Sequence, residues 1–411
     1  MTSSPPGRRV PGRHATAFVF VTVLVDSMGI GIIIPVLPSL IRELTELPLS
    51  QAALWGGFLT LAYALMQFAL GPTVGNLSDR FGRRPVLLVS LAIMAVDYLI
   101  MAVAQALWVL FLGRLIAGAA GATHSTANAF VADISLPEKR AQNFGLMGAG
   151  FGIGFIVGPI IGGLAGELST RAPFYAAAAI AFGNFCYGAI VLPETLDPAN
   201  RRSFSWRRAN PLGVAMQIAK VPMVAWFVLA FFLFNLAHYV YPAVWSFYTQ
   251  EAFGWSTGQV GLSLALVGVG FALVQGWLIR LILPRIGEAM TTLVGFLVSI
   301  FGLVFLSVAT EGWMVYAIIP VTALGAMLTP ALTGLMANRV PNNAQGELQG
   351  ALSSATAITM IITPVLMTQL FGYYTAASSA FYFPGAPFLA AAVIMALAIA
   401  PFAIGLRTIA R

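Results

Sequence analysis

Apolar runs of roughly 20 residues recur down the whole chain, and this pattern decides the fold before any motif is read. A run of that length crosses a hydrocarbon core about 30 Å thick as a helix. Only helices and closed barrels satisfy every backbone group in lipid, and these runs are too long and continuous for barrel strands. Charged residues make up 9% of the 411, against 59% hydrophobic, too few to cover a soluble surface. The chain therefore reads as an all-α polytopic membrane protein. The hydropathy pattern predicts spans at 15–40, 51–74, 85–105, 107–132, 142–166, 173–193, 221–249, 257–282, 289–309, 313–338, 346–372 and 383–406.

Basic residues orient the spans. Every second loop, with the two termini, holds Arg8, Arg9, Arg13; Arg80, Arg83, Arg84; Lys139, Arg140; Arg201, Arg202, Arg207, Arg208, Lys220; Arg280, Arg285; Arg339; Arg407 and Arg411. The opposite loops hold only Arg42 and Arg171, a split of eighteen to two. Cationic loops stay cytoplasmic, so both termini are expected inside and the number of crossings is even. The same distribution removes nucleic acid as the reason for the net charge of +7. The first span follows three arginines but crosses fully and carries Asp26, so it reads as a retained helix and not a cleaved signal. The single cysteine, Cys186, excludes an internal disulfide framework and a cysteine zinc site.

A long polar segment, about Glu194 to Lys220, separates six spans from six. The division expected is a six-helix bundle over 1–200, a cytoplasmic linker over 201–220 and a second bundle over 221–411. The halves repeat: Asp133-Ile134-Ser135-Leu136-Pro137, Arg140-Ala141-Gln142 and Gly158-Pro159 correspond to Asn338-Arg339-Val340-Pro341, Ala344-Gln345-Gly346 and Pro364, at an offset close to 204.

Between the second and third spans stands Gly75-Asn76-Leu77-Ser78-Asp79-Arg80-Phe81-Gly82-Arg83-Arg84-Pro85, read as a tight polar hairpin at a membrane face. The fifth span carries Gly154, Gly158, Pro159, Gly162 and Gly163. Small residues let helices approach closely in lipid, and the proline frees a carbonyl and permits a bend. Generic tight packing is the alternative to a dedicated function for these glycines.

Three charged residues lie deep inside spans. Asp26 sits about eleven residues into the first span, ~16 Å deep by helix rise. A charge there costs several kcal/mol, roughly, unless it faces a cavity or a partner, so Asp26 is a candidate for taking and releasing a proton. Arg114 is the one clear intramembrane cation, ~10 Å below the outer surface on the fourth span. A buried arginine needs a partner, and Asp26 and Asp97 are the carboxylates at comparable depth. Asp97 is then either a structural partner or a proton relay. Polar residues deep in spans are the substrate candidates: Tyr63, Gln67, His124, Asn128, Asn235, His238, Tyr239, Tyr241, Trp245 and the weaker Gln275. Each could equally be an interhelical hydrogen bond. Thr126 stands between His124 and Asn128. Zinc ligation by His124 and His238 is disfavoured, and no nucleotide loop or nucleophile–base pair points to an enzyme.

The charged hairpin resembles the loop between the second and third helices of major facilitator superfamily transporters. The Gly-Pro-x-x-Gly-Gly ending of the fifth span is similar to the signature of that superfamily's drug–proton antiporters. Nearly the whole chain resembles tetracycline-resistance efflux proteins, through Asp26-Ser27-Met28-Gly29-Ile30-Gly31, Pro35-Val36-Leu37-Pro38, Tyr63-Ala64-Leu65-Met66-Gln67, Ala172-Pro173-Phe174, Gly312-Trp313 and Gln345-Gly346-Glu347-Leu348-Gln349-Gly350. The resemblance implies twelve helices in two pseudo-symmetric six-helix bundles, a site between the halves, and rocking that alternates access. It implies a cavity lined by the first, fourth, seventh and tenth spans, with Asp26 as coupling acid and Arg114 assisting. It also implies a cytoplasmic latch that holds the outward-open state: Asp79 facing a helix amino end of the other half, and Arg83 pairing with Asp133. Where tetracycline exporters carry a membrane histidine and aspartate, this chain has Phe271 and Ser299, which argues against tetracycline itself. The expectation is a proton-coupled exporter of an amphiphilic small molecule in a bacterial inner membrane, functional as a monomer and without cofactor beyond the proton. A proton-coupled uptake symporter and a non-transporting membrane sensor are the alternatives.

Overall fold

The computed structural model describes residues 13–121, 123–135, 140–197, 199, 201–204, 224–341 and 344–409, the side chains of 13–16, 123–125, 140–142 and 409 excepted. The linker over 205–220, the terminal arginines Arg8, Arg9 and Arg411, Lys139, and the side chains of Arg13, Arg140 and His124 lie outside the described residues. Within them the chain is helical, without a strand. The helices are α1 (Arg13–Thr45), α2 (Leu49–Phe81), α3 (Arg83–Val103), α4 (Leu107–Ala120), α5 (Thr123–Ile134), α6 (Arg140–Leu168), α7 (Ala172–Val191), α8 (Ala225–His238), α9 (Val240–Phe253), α10 (Thr257–Leu273), α11 (Ile279–Val308), α12 (Gly312–Ala323), α13 (Leu328–Ala337), α14 (Gln345–Thr375) and α15 (Ala386–Ile409). A π-turn, Val274–Leu278, joins α10 to α11, and a 3-10 turn, Leu324–Met327, joins α12 to α13.

Ten helical runs among the described residues are long and apolar enough to cross a membrane. The longest, Thr257–Val308, holds 52 residues and is broken at Gly287, whose φ of 75° is open only to glycine at low cost. The shorter α4 and α5 flank Gly121. Two expected boundaries need correction. The polar motif is not a loop: Gly75 through Phe81 finish α2, and Gly82 alone separates α2 from α3. The seventh span breaks at Tyr239, whose amide bonds the Asn235 carbonyl at 3.0 Å.

Helix contacts follow the small residues. In lipid no hydrophobic drive separates a helix contact from a lipid contact, so close van der Waals fit decides association. Every fourth residue of α6 presses on α1: a side chain at Gly154, Gly158 or Gly162 would strike the carbonyl oxygens of Leu24, Met28 or Ile32. Gly152 on the same helix meets nothing within 4 Å. Gly158→Val is therefore expected to cost most of the folded, monodisperse protein recovered by size-exclusion chromatography, while Gly152→Val is recovered like the wild type. Equal recovery of the two would show that the α1–α6 stripe does not set the fold.

An adjacent face of α6 meets the second half of the chain. A side chain at Gly163 would approach the Thr257 carbonyl to 2.7 Å, and one at Gly261 would strike the Pro159 carbonyl. On the other side of the molecule, Gly57 abuts Thr368 and Pro364, and Gly372 abuts Ser50. Between these, Ser246 donates to the Ile34 carbonyl at 2.7 Å and Gln250 to the Pro35 carbonyl at 3.3 Å. All of these contacts lie toward the end away from the arginine motif. Near the arginine end, Gly71 on α2 and Gly346 at the start of α14 meet no atom within 4 Å.

Candidate functional site: a charged cavity and its basic face

At the basic face, one turn gathers most of the motif. Gly82 has φ 108°, and a side chain there would strike the Glu194 carboxylate. That carboxylate accepts the backbone amides of Arg83 at 2.9 Å and Arg84 at 3.3 Å, so it caps α3 where the helix dipole is positive. The Arg83 guanidinium spans Asp79 at 2.7 Å, Ser78 at 3.0 Å and Asp133 at 3.2 Å. Arg84 donates to the Ala189 carbonyl at 2.8 Å, and Arg80 lies over the Phe81 ring at 5.0 Å. Asp79 is thus engaged within the first half; its ion pair is with Arg83, and its backbone carbonyl accepts the Arg202 amide at 3.0 Å.

Above this face lies a cavity of about 220 Å³. Its polar wall comprises Asp26 of α1, Thr60 and Tyr63 of α2, Ser90, Asp97 and Tyr98 of α3, Arg114 of α4 and Ser246 of α9. The rest is mostly apolar, with Ile30, Leu37, Met94, Met101, Phe247 and Met360 among its surfaces. The wall comes from α1, α2, α3, α4, α9 and α14, so Asp97 on the third span faces the site while the tenth span, α12 to α13, contributes nothing to this cavity. The α1–α9 hydrogen bonds close the cavity at the far end, which draws its walls toward α2, α3 and α14.

Arg114 is paired with Asp97, whose side chain is 1% exposed. The pair is single-stranded: Asp97 Oδ1 and Arg114 Nε are buried without a hydrogen-bond partner. The guanidinium also lies 5.6 Å from the Tyr63 ring centre. No described residue forms an ion pair with Asp26. Tyr63 and Tyr98 line the same cavity as the lone acid and the Arg114–Asp97 pair. Gly29, one turn from Asp26, leaves the space that the Tyr98 hydroxyl fills.

The other substrate candidates are placed elsewhere. Gln67 donates to the Gly121 carbonyl at 3.0 Å and lines a second, smaller-walled space of about 210 Å³ with Phe68, Ser353 and Ala357. Met360 belongs to both spaces. Asn235 is turned onto its own helix, donating to the Phe231 carbonyl at 2.8 Å. His238 stacks on Phe234 and Phe271 and meets the edge of Tyr241. Tyr241 and Trp245 continue that aromatic column to Phe388, and the Trp245 indole donates to Ser263 at 2.9 Å. Tyr239 forms the helix break, Gln275 donates to the Ala326 carbonyl at 3.4 Å, and Asn128 is half-buried on α5 away from the cavity. Ser299 packs against Gly325, so an aspartate there would need α11 and the 3-10 turn to separate. Phe271 and His238 share one stack, which places an imidazole from α8 beside Phe271 of α10. Ser246, Thr60, Ser90 and Met360 carried no signal in the sequence, because short hydroxyls and thioethers are common in any span.

Membrane-length helices enclosing a part-charged cavity, closed at one end and with an arginine cluster at the other, are the working parts of a secondary transporter. The chain belongs to the Major Facilitator Superfamily, whose family model matches residues 19–364. It is 38% identical to the class C tetracycline resistance protein of Escherichia coli over 358 residues, 87% of this chain and 90% of that protein. It is 28% identical to the quinolone resistance protein NorA of Staphylococcus aureus (strain COL) over 325 residues, 78% of this chain and 80% of that one. In fold it is similar to the crystal structure of a bacterial homologue of the human lysosomal transporter Spinster, inward-facing and unoccupied. The TM-score is 0.77 at 15% identity, covering 98% of each chain. The protein is a transporter and not an enzyme.

Proposed function

We propose that this protein is a proton-coupled exporter of an amphiphilic small molecule, working by alternating access. The observation that carries the reading is Asp26: an acid with no ion-pair partner, at mid-span, on the wall of a mostly apolar cavity. Such a group binds either a proton or the polar end of a ligand, and competition between the two is coupling. The names of the relatives, resistance proteins for tetracycline and for quinolones, support efflux of drug-type molecules.

The reading counts twelve crossings. Thr257–Val308 counts twice across Gly287, and α4 with α5 counts once. The two bundles are residues 1–200 and 221–411 with the linker 201–220 between. The basic face is cytoplasmic in a bacterial inner membrane, as the eighteen-to-two split of basic residues favours. The cavity is then closed outward and approached from the cytoplasm, with the Asp79–Arg83–Asp133 cluster disengaged from the second half. Protonation of Asp26 favours this state. Substrate arrival and loss of the proton favour the return, when Asp79 meets the amino end of α14 and closes the basic face. One chain encloses the pathway, so the monomer is the working unit.

Phe271 and Ser299 favour a ligand more apolar than tetracycline, so ethidium and tetracycline are both tested. In proteoliposomes with an imposed pH gradient, the carried compound is expected to move against the proton flux. Movement with the protons would establish the uptake symporter instead. Compound movement indifferent to the gradient would overturn proton coupling.

A further inference from the structure

We propose that Glu167 is a positioning residue of the transport cycle: its carboxylate, on the first half of the chain, caps the amino end of α10 in the second half and holds the outer side of the cavity shut. The proposal rests on the side assignment made above, in which the face opposite the arginine motif is external.

Glu167 ends α6, one turn beyond the glycines that bind α1. Its Oε1 accepts the Gly258 amide at 2.7 Å and lies 3.5 Å from the Thr257 hydroxyl. Thr257 in turn donates to the Gly163 carbonyl at 3.2 Å. The amino end of α10 is otherwise provided for locally. Ser256 accepts the Gln259 amide at 3.4 Å, and the Gln259 side chain accepts the Ser256 amide at 3.0 Å. The Gly258 amide is one of the donors this capping box leaves over, and it is filled from across the halves. An anion at that position also meets the positive end of the helix dipole.

The acid is committed to this contact. The nearest cation along the chain, Arg171, is occupied by Glu43 at 2.9 Å and by the Ala102 and Ala104 carbonyls at 2.8 and 2.7 Å. The fit leaves no room for substitutes: a side chain at Gly258 would come within 2.8 Å of the Glu167 carboxylate, and one at Gly166 would press on Val36 and Thr257. Parting α6 from α10 therefore exposes the Glu167 charge and the Gly258 amide together, so the bond is made in one state of the cycle and lost in the other. The arginine motif resembles a latch that closes the basic face in the outward state. Glu167 supplies the contact of opposite sign of action, closing the far face in the present one.

The chain's one cysteine makes the test clean. On a Cys186→Ser background, Ala243→Cys puts a thiol on the cavity wall. A sulfonated, membrane-impermeant methanethiosulfonate is then added from either side of oriented vesicles. With Glu167 present, labelling from outside is expected to be slow and from inside fast. Glu167→Ala should speed outside labelling roughly two- to fivefold, the shift that one solvent-exposed charge at a helix amino end supports. Inside labelling should fall only slightly, because the inward state remains the majority. Glu167→Gln, which keeps an acceptor oxygen, is expected between wild type and alanine, and Glu167→Lys beyond alanine. Unchanged rates in all three variants would overturn the proposal, as would a rise from both sides at once, which marks loosened folding and not a shifted equilibrium. A wild type that labels faster from outside would overturn the side assignment, while leaving the graded series to test the latch itself.

Discussion

Asp97→Asn is expected to lower the stability of the purified protein by about 3–5 kcal/mol, the cost of leaving a buried charge without its partner. Arg114 sits on α4 with a side chain 14% exposed, and its ion pair is with Asp97. Removing the carboxylate charge strands a guanidinium in a cavity whose other acid, Asp26, forms no ion pair with it. The reverse change, Arg114→Gln, strands Asp97 and should cost a similar amount. The double variant removes both charges and is expected to recover most of the loss, because a neutral pair needs no desolvation offset. Thermal unfolding in detergent, read for the two single variants and the double, measures the interaction. If either single variant melts with the wild type, the pair is solvated and does not hold α3 to α4. The cycle also separates two roles for Asp97: a double variant that is stable but does not transport makes the pair part of the pathway, and one that transports makes it structural.

The second large effect is on coupling. Asp26→Asn is expected to reduce gradient-driven accumulation to the level of empty liposomes while leaving exchange of carried compound across the membrane in place. The amide is close in shape to the acid and keeps the cavity, but it cannot lose or gain a proton in this range. Because Asp26 makes no ion pair, its replacement should cost little stability, in contrast to Asp97. An Asp26→Asn protein that still accumulates compound would move the proton site to the Arg114–Asp97 pair.

The fold was largely legible because lipid imposes one rule on every span: twenty apolar residues and no unsatisfied backbone. What hydropathy does not register is a break inside a span. Gly121 and Tyr239 interrupt helices without lowering the apolar average, and the α2–α3 motif looked like a loop because its charges are those of a loop; the break at Gly287, by contrast, falls in the gap expected between the eighth and ninth spans. Charge inside the membrane was equally legible. Asp26, Asp97 and Arg114 stand out because such residues are rare, and the structure gathers all three on one cavity. The aromatic residues of the seventh span did not stand out in the right way. Only one stripe of a helix can face a cavity, and on α9 that stripe is Pro242, Ala243, Ser246 and Phe247, which leaves Tyr241 and Trp245 to the interior of the second half. Glu167 and Glu194 were illegible for a different reason. A carboxylate at the end of a span is ordinary, and only the three-dimensional approach of a helix amino end makes either one a cap.

That proton and substrate compete for Asp26 is tested most directly by counting protons released when the carried compound binds. Purified protein is titrated with the carrier-positive compound, ethidium or tetracycline, in buffers of different ionisation enthalpy. Binding to the wild type should release a proton, seen as a heat that scales with the buffer, and binding to Asp26→Asn should release none. Binding to the wild type without proton release, or release that persists in Asp26→Asn, would contradict coupling at this acid.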